Sequence, residues 1–391
     1  MNQPASIALG ELVDPVETWS PERDAPDDSF VYIDLSAIDE DAKAIIGVRK
    51  VAGAEAPSRA KQIVAAGDVL VSTVRPNLNG VARVPSEMDG ATASTGFCVL
   101  RPRPEKLDGA YLLHWVRSPC FVSEMVRRAT GASYPAVSDR IILESSLPLP
   151  PLPEQRRIAE VLDRAEALRA KRRAALAQLD TLTQSIFLDM FGDPATNPKG
   201  WPIKAFGDVC NTQLGKMLDQ KQQTGEHKRL YLRNANVQWF RFDLTSILEM
   251  DFDGGERERF RLQPGDLLIC EGGEPGRAAV WRSELEECYF QKALHRARPD
   301  PTLANADYLA WLLWFLSQRG TLSGVTSATI AHLTGEKLAV LPTMLPPLSV
   351  QGDFICRLTA VADVGRAHRT TLAELDALFA SLQYRAFRGE L

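Results

Sequence analysis

The sequence predicts an α+β chain in which two similar mixed α/β domains are separated by two long antiparallel, coiled-coil-like helices, the whole forming a pseudo-twofold internal repeat. Three observations carry this expectation. Leu149-Pro150-Pro151-Leu152-Pro153-Glu154-Gln155 recurs 196 residues later as Leu345-Pro346-Pro347-Leu348-Ser349-Val350-Gln351. The match continues without a gap through Leu179-Asp180 and Leu375-Asp376, Ser185 and Ser381, and Phe191 and Phe387. Upstream, Gly67-Asp68-Val69-Leu70-Val71 returns as Gly265-Asp266-Leu267-Leu268-Ile269, and Gly80-Val81-Ala82-Arg83-Val84 as Gly276-Arg277-Ala278-Ala279-Val280. A period this long duplicates a domain rather than a solenoid turn.

The repeat sets the expected boundaries: a first domain over 1–150, a first long helix over 151–192, a second domain over 193–347 and a second long helix over 348–391. In the first domain, Phe30–Leu35, Val69–Val74 and Phe97–Leu100 are short runs rich in β-formers, and Tyr111–Val126 is an apolar helix. In the second, Tyr231–Asn234 and Leu267–Cys270 are the strand candidates and Tyr308–Gln318 the helix. Prolines 150, 151 and 153 mark the start of the first long helix, and Pro346-Pro347 mark the second. Gly192-Asp193-Pro194 and Asn197-Pro198-Lys199-Gly200 form the linker after the first.

The long helices carry matching apolar stripes. In the first these are Ile158, Leu162, Ala165, Leu168, Leu176, Leu179, Leu182 and Ile186. The second has Phe354, Leu358, Val361, Val364, Leu372, Leu375, Leu378 and Leu382. Arg172 and His368 interrupt the two stripes at the same place. Steps of three and four residues averaging about 3.5 are those of helices that bury a seam against one another. From Glu154 to Met190 such a helix would run roughly 55 Å.

Composition narrows the function. The chain has 391 residues, 45% of them hydrophobic and 24% charged, as in ordinary globular proteins. No apolar run is long enough to span a bilayer, and the N-terminus lacks the pattern of a signal peptide. A cytoplasmic location is expected. The six cysteines (Cys98, Cys120, Cys210, Cys270, Cys288, Cys356) form no Cys-x-x-Cys pair and suit reduced core positions. Net charge is −5, but residues 1–41 alone carry −10, which leaves a mildly basic remainder at +5.

Motifs for catalysis are missing. The five histidines have no metal-ligand spacing, and there is no P-loop, Gly-x-Ser-x-Gly or Gly-x-Gly-x-x-Gly. Gly272-Gly273-Glu274-Pro275-Gly276 follows a strand and reads as a tight turn. Asp41-Ala42-Lys43, Asp219-Gln220-Lys221 and Glu226-His227-Lys228 have the acid-x-Lys form of some nucleases, a pattern that chance alone supplies in a chain with 50 acids. No catalytic residue, metal or cofactor is expected in this chain.

Side chains suited to reading DNA are better represented. In the first half they are Arg59 and Lys61; Ser72, Thr73, Arg75, Asn77 and Asn79; and Ser133 with Tyr134. The second half offers Lys216, Lys221, Arg233, Asn234, Asn236, Arg241 and Arg277, then Thr326, Ser327 and Thr329, which match the Gly131 loop. Their grouping at equivalent places in the repeat weighs more than any one of them. The bulk properties leave three classes: a DNA-reading scaffold, a nuclease or methyltransferase, and a protein-interaction scaffold that reads no DNA.

These segments resemble the DNA specificity (S) subunits of Type I restriction-modification systems along nearly the whole chain. The similarity is most specific in Leu149–Ile158 leading into the long helix. It continues in Phe191-Gly192-Asp193-Pro194 with Asn197–Pro202, and in Ala56–Lys61 and Ser72–Pro76. The resemblance implies two target-recognition domains that read one part each of a split sequence, with the helices as a ruler between them. It also implies double-stranded DNA, two S-adenosylmethionine-binding modification subunits and restriction subunits as partners. One departure is the second helix start, Ser349-Val350-Gln351-Gly352-Asp353, which lacks the Glu-Gln-Arg-Arg of the first.

Overall fold

The computed structural model describes residues 5–40, 42–218, 224–320, 322 and 332–391. It divides into two compact units, Met1–Ala174 with Arg369–Leu391, and Ala175–His368. Each is a mixed domain to which both long helices, Leu152–Phe191 and Leu348–Ala386, contribute a half.

The same topology is built twice. In the first unit an antiparallel sheet runs Val13–Asp14, Phe97–Pro102, Val69–Ser72, Val81–Arg83. In the second unit the corresponding order is Cys210–Leu214, Leu294–Pro299, Leu267–Cys270, Ala278–Val280. A second sheet follows in each. Ser29–Ile33 lies between antiparallel Arg49–Ala52 and parallel Thr92–Ser94, as Lys228–Leu232 lies between Leu248–Asp251 and Tyr289–Phe290. The first unit adds Ala60–Ile63 at the edge beside Thr92–Ser94. A two-stranded ribbon closes each unit, Ser6–Ala8 on Ser146–Pro148 and Ile203–Ala205 on Pro342–Met344.

The unbroken apolar runs at the repeat's heart follow from this layering. Val69 and Val71 face the core shared with the long helices, whereas Leu70 between them faces the second sheet's core. Leu267 and Ile269 divide from Leu268 and Cys270 in the same way. A strand buried on both faces cannot alternate polar and apolar residues.

Identical polar brackets hold the layers. Gln155, 1% exposed, accepts from the Asp108 amide at 2.8 Å and donates to the carbonyls of Lys106 and Pro150. Gln351, fully buried, repeats this with Asn305, Leu303 and Pro346. Asp108 and Asn305 cap the helices Gly109–Val116 and Ala306–Gln318. The buried carboxylates of Asp68 and Asp266 each take a two-pronged bond from an arginine one strand away, Arg101 and Arg298. Tyr111 and Tyr308 donate to Pro148 and Met344, both at 2.8 Å.

The structure corrects three expectations. Tyr111–Val126 is two helices, Gly109–Val116 and Pro119–Arg128. Pro119 cannot donate within a helix, and Ser118 caps the new start through the Phe121 amide. The strand expected over Tyr231–Asn234 ends at Leu232, and Asn234–Asn236 turn as a 3₁₀ helix.

The third correction concerns the helix seam. Leu168, Leu182 and Leu378 are 51%, 44% and 49% exposed, as is Val364 at 47%. The buried and half-buried line instead runs Ile158, Leu162, Ala165, Arg169, Arg172, Leu176, Leu179, Thr183, Phe187. On the second helix it runs Phe354, Leu358, Val361, Gly365, His368, Leu372, Leu375, Phe379, Gln383. Both lines have the same spacing, averaging about 3.6 residues, the period of a straight helix rather than of a supercoiled one. Ile186 and Leu382 flank this line and pack against the cores of their units.

Within each unit the helix halves are antiparallel, with different chemistry. In the first, Arg169 bonds Asp376 at 2.6 Å and lies over Phe379, and Arg173 also reaches Asp376. In the second, Phe187 and Phe191 meet Phe354 edge-on at 5.5 and 5.2 Å.

Candidate nucleic-acid interface

In the first unit two loops come together at one edge. Val74 and Thr130 both pair with Ala136, and the Arg75 amide donates to Pro135 at 2.7 Å. Arg75 and Asn79 adopt left-handed backbone, φ 49° and 50°, on either side of the turn Pro76–Leu78. Such a conformation costs an ordinary residue energy and is held here by the loop around it. The Arg75 guanidinium lies 5.0 Å from the ring centroid of Tyr134, which is 68% exposed. Asn77, Leu78 and Ser133 are exposed alongside. The edge therefore presents a propped guanidinium fork, an exposed phenol and small polar groups.

Several residues expected to read DNA are committed internally. Thr73 is 8% exposed and bonds the Gly96 carbonyl at 2.9 Å. Ser72 bonds Val74. The Asn79 side chain leans toward the Arg117 carbonyl, and its own carbonyl receives Lys43. Lys61 donates to Ser20. Arg59 stays exposed, with its carbonyl taken by Thr95.

The second unit offers fewer of the expected groups. Lys216 is 9% exposed; its ammonium bonds the Asp251 carbonyl and Glu256 and lies over Phe252. Asn236, fully buried, bonds the Arg233 amide and the Asp243 carbonyl, so it caps the 3₁₀ turn. Asn234 donates to Gly272, Arg233 reaches Ser246, and Arg277 is clamped between Glu274 and the Asn234 carbonyl. Gly272–Gly276 is the tight turn between two strands, with Gly273 and Gly276 in left-handed backbone. Arg241 is exposed. Lys221, Thr326, Ser327 and Thr329 lie outside the described residues. These internal roles share a cause: a long polar side chain beside a buried turn satisfies backbone groups that water cannot reach.

Burial pushes the thiols of Cys210 and Cys288 up to about 12 and that of Cys270 to about 11, so they stay protonated. Burial also lowers His295, whose ring meets the Leu333 carbonyl. Among the described residues no group of three acids, histidines or cysteines could hold a metal, and no helix is long and apolar enough to cross a membrane.

Comparison with known proteins now bears on these two units. A family model described as the Type I restriction modification DNA specificity domain matches residues 42–178. A solved chain from work on complex assembly and conformational transition of the type I R-M system is 28% identical, with a TM-score of 0.70, over 100% of both chains. The chain is similar to the DNA specificity subunits of Type I restriction-modification systems. The EcoKI specificity subunit of Escherichia coli K12 is 25% identical over 75% of this chain and 68% of its own. The S subunit of M. genitalium, 13% identical with a TM-score of 0.53, shares the fold. Specificity subunits are the non-catalytic members of their systems. The matched region contains both loops that meet at Arg75 and Tyr134.

The stacking of Tyr134 on Arg75 escaped the sequence reading, because 59 residues separate the pair and neither loop has a periodic signal. The brackets of Gln155 and Gln351 were visible as repeat matches, without a sign that they bind backbone rather than partners.

Proposed function

We propose that this chain, as a specificity subunit, recognises a two-part, asymmetric DNA target and positions the partner subunits of a Type I complex on it. Each unit reads one part through its exposed loop edge. In the first, Arg75, Asn77, Ser133, Tyr134 and Arg59 meet DNA; in the second, Arg241 does so. The long helices fix the length of the unread spacer. Two modification subunits, which carry S-adenosylmethionine, methylate adenine at the site, and restriction subunits join where cleavage occurs. The chain itself holds no cofactor.

The observation that carries this reading is the repetition of one topology and one set of brackets beneath loops of different sequence. Two similar frames with different reading edges suit two unlike half-sites. Lengthening both long helices by one heptad tests it, since each would grow by roughly 10 Å. The complex assembled with its methyltransferase should then select a longer spacer from a library of split targets. An unchanged spacer would reject the ruler.

A further inference from the structure

In each unit a small β-hairpin is tied to the turn that leaves a central strand, Val69–Ser72 in the first and Leu267–Cys270 in the second. We propose that these hairpins are braces that set the aim of the two turns, and that in the first unit Lys43 is the positioning residue for Arg75.

The first hairpin pairs Ile38–Asp39 with Ala44–Ile45, and the second pairs Val237–Gln238 with Arg241–Phe242. Each has a residue other than glycine in left-handed backbone at its tip, Lys43 at φ 54° and Phe240 at φ 61°. Such backbone is unfavourable for an L-residue and persists where the surroundings fix it. Here the fixing contacts lead to the turn. The Lys43 ammonium donates to the Asn79 carbonyl at 2.6 Å. In the second unit Trp239, next to Phe240, donates its indole N–H to Glu274 at 2.6 Å, and the Phe240 amide donates to the Ala278 carbonyl at 3.0 Å.

The two turns correspond. Each has two left-handed positions, Arg75 and Asn79 in the first and Gly273 and Gly276 in the second. Each hairpin and turn is also tied to the helix of its own unit. Asn79 reaches the Arg117 carbonyl at the end of Gly109–Val116, and Phe240 stacks on Trp311 of Ala306–Gln318 with ring centroids 4.2 Å apart. A lysine and a tryptophan thus perform one task with unrelated chemistry. The repeat keeps the tie between hairpin and turn and not the side chains that make it, so the tie itself is what matters. It also accounts for the lysine of one acid-x-Lys triplet, whose ammonium holds a turn.

A hold on Asn79 is a hold on Arg75. The Leu78 amide donates to the Arg75 carbonyl at 2.9 Å and the Asn79 amide to the Pro76 carbonyl at 3.1 Å, so the turn moves as one piece. Pro135 fixes its Arg75 end and Lys43 its Asn79 end. A fork that meets a base edge with two hydrogen bonds tolerates a displacement of only about 0.5 Å. The positioning role rests on the DNA reading proposed above; the brace itself does not.

Lys43→Met keeps the stem and removes the donor, whereas Lys43→Arg keeps a donor of similar reach. Amide hydrogen exchange in the full chain tests the brace without DNA. Lys43→Met should speed exchange at Leu78 and Asn79 several-fold and leave Gly276 and Arg277 unchanged. Trp239→Phe should do the reverse, and Lys43→Arg should stay near wild type. Unchanged exchange at Leu78 and Asn79 in Lys43→Met overturns the brace. Binding of the methyltransferase complex to duplexes with one half-site scrambled tests the aim. Lys43→Met should lower discrimination at the first half-site several-fold, leave the second half-site and the salt slope unchanged, and add nothing to Arg75→Ala. An equal loss on every duplex with a shallower salt slope makes Lys43 a phosphate contact and overturns the positioning role. Full discrimination in Lys43→Met, where Arg75→Ala has lost it, overturns that role too. Full discrimination in both variants with quickened exchange overturns the reading edge, and the positioning role with it, while the brace stands.

Discussion

On the proposed function, Arg75 is the side chain whose loss should bear most directly on target choice. Its guanidinium is held over Tyr134 on a loop fixed by the Pro135 carbonyl, so little freedom is lost when the fork meets a base edge. A two-pronged contact to guanine contributes about 1–3 kcal/mol of discrimination, or roughly 5- to 150-fold in affinity. Arg75→Ala should lose that amount on DNA that keeps the first half-site, and almost nothing on DNA in which that half-site is already scrambled. Arginine and alanine suffer alike in left-handed backbone, so the loop's own stability should barely change. Arg75→Lys keeps the charge without the fork and should fall close to Arg75→Ala. Tyr134→Ala removes only the prop, about 0.5–1 kcal/mol at an exposed site. The assay is fluorescence anisotropy of the methyltransferase complex on duplexes differing in one half-site, at fixed salt. An equal loss on every duplex would make Arg75 a phosphate contact. A larger loss from Tyr134→Ala than from Arg75→Ala would make the phenol the reader.

Other consequences follow from the brackets and buried pairs. Gln155→Leu and Gln351→Leu should each cost about 1–3 kcal/mol by orphaning a buried amide, and amide exchange should quicken in Gly109–Val116 for the first and Ala306–Gln318 for the second. The two losses should add in the double variant; strong non-additivity would contradict independent brackets. Lys216→Met should lower the second unit's thermal stability while leaving the salt dependence of DNA binding unchanged, and a shallower salt slope would show that Lys216 touches phosphate after all. His114, 1% exposed, bonds Asp163 at 2.7 Å, and that bond holds the Asp163 carboxyl below its ordinary value of 3.8. A depressed carboxyl stabilises the fold above its ordinary range and loses that contribution as pH falls through the lower, folded value. The stability gap between wild type and Asp163→Asn should therefore be flat near neutrality and close below about pH 4; a gap that closes nearer pH 7 would assign the effect to another group.

The repeat made the duplicated fold legible before any coordinates, because Gly67–Val71 and Leu149–Gln155 recur in register with their copies. What it could not give was the tilt of the helix seam. Leu168 and Leu182 satisfy a 3.5-residue pattern as well as Arg169 and Thr183 satisfy 3.6, and apolar character alone favoured the leucines. The polar choices win because Arg169 can pair with Asp376 and lie across Phe379, contacts invisible in a one-dimensional pattern. The proposed reading edge was legible as composition only. Thr73, Lys216 and Asn236 have the chemistry of DNA readers, yet backbone groups buried beside them claim their hydrogen bonds. Arg75 and Asn77, on the outer side of a turn, stay exposed instead.

The most direct measurement of the central claim is a genome-wide map of adenine methylation in the source cells, with and without this gene and with its methyltransferase present. The account predicts that deletion erases methylation at one asymmetric motif of two specified parts and a spacer of fixed length, and that Arg75→Ala relaxes bases in one part only. Methylation that persists unchanged in the deletion strain would contradict it.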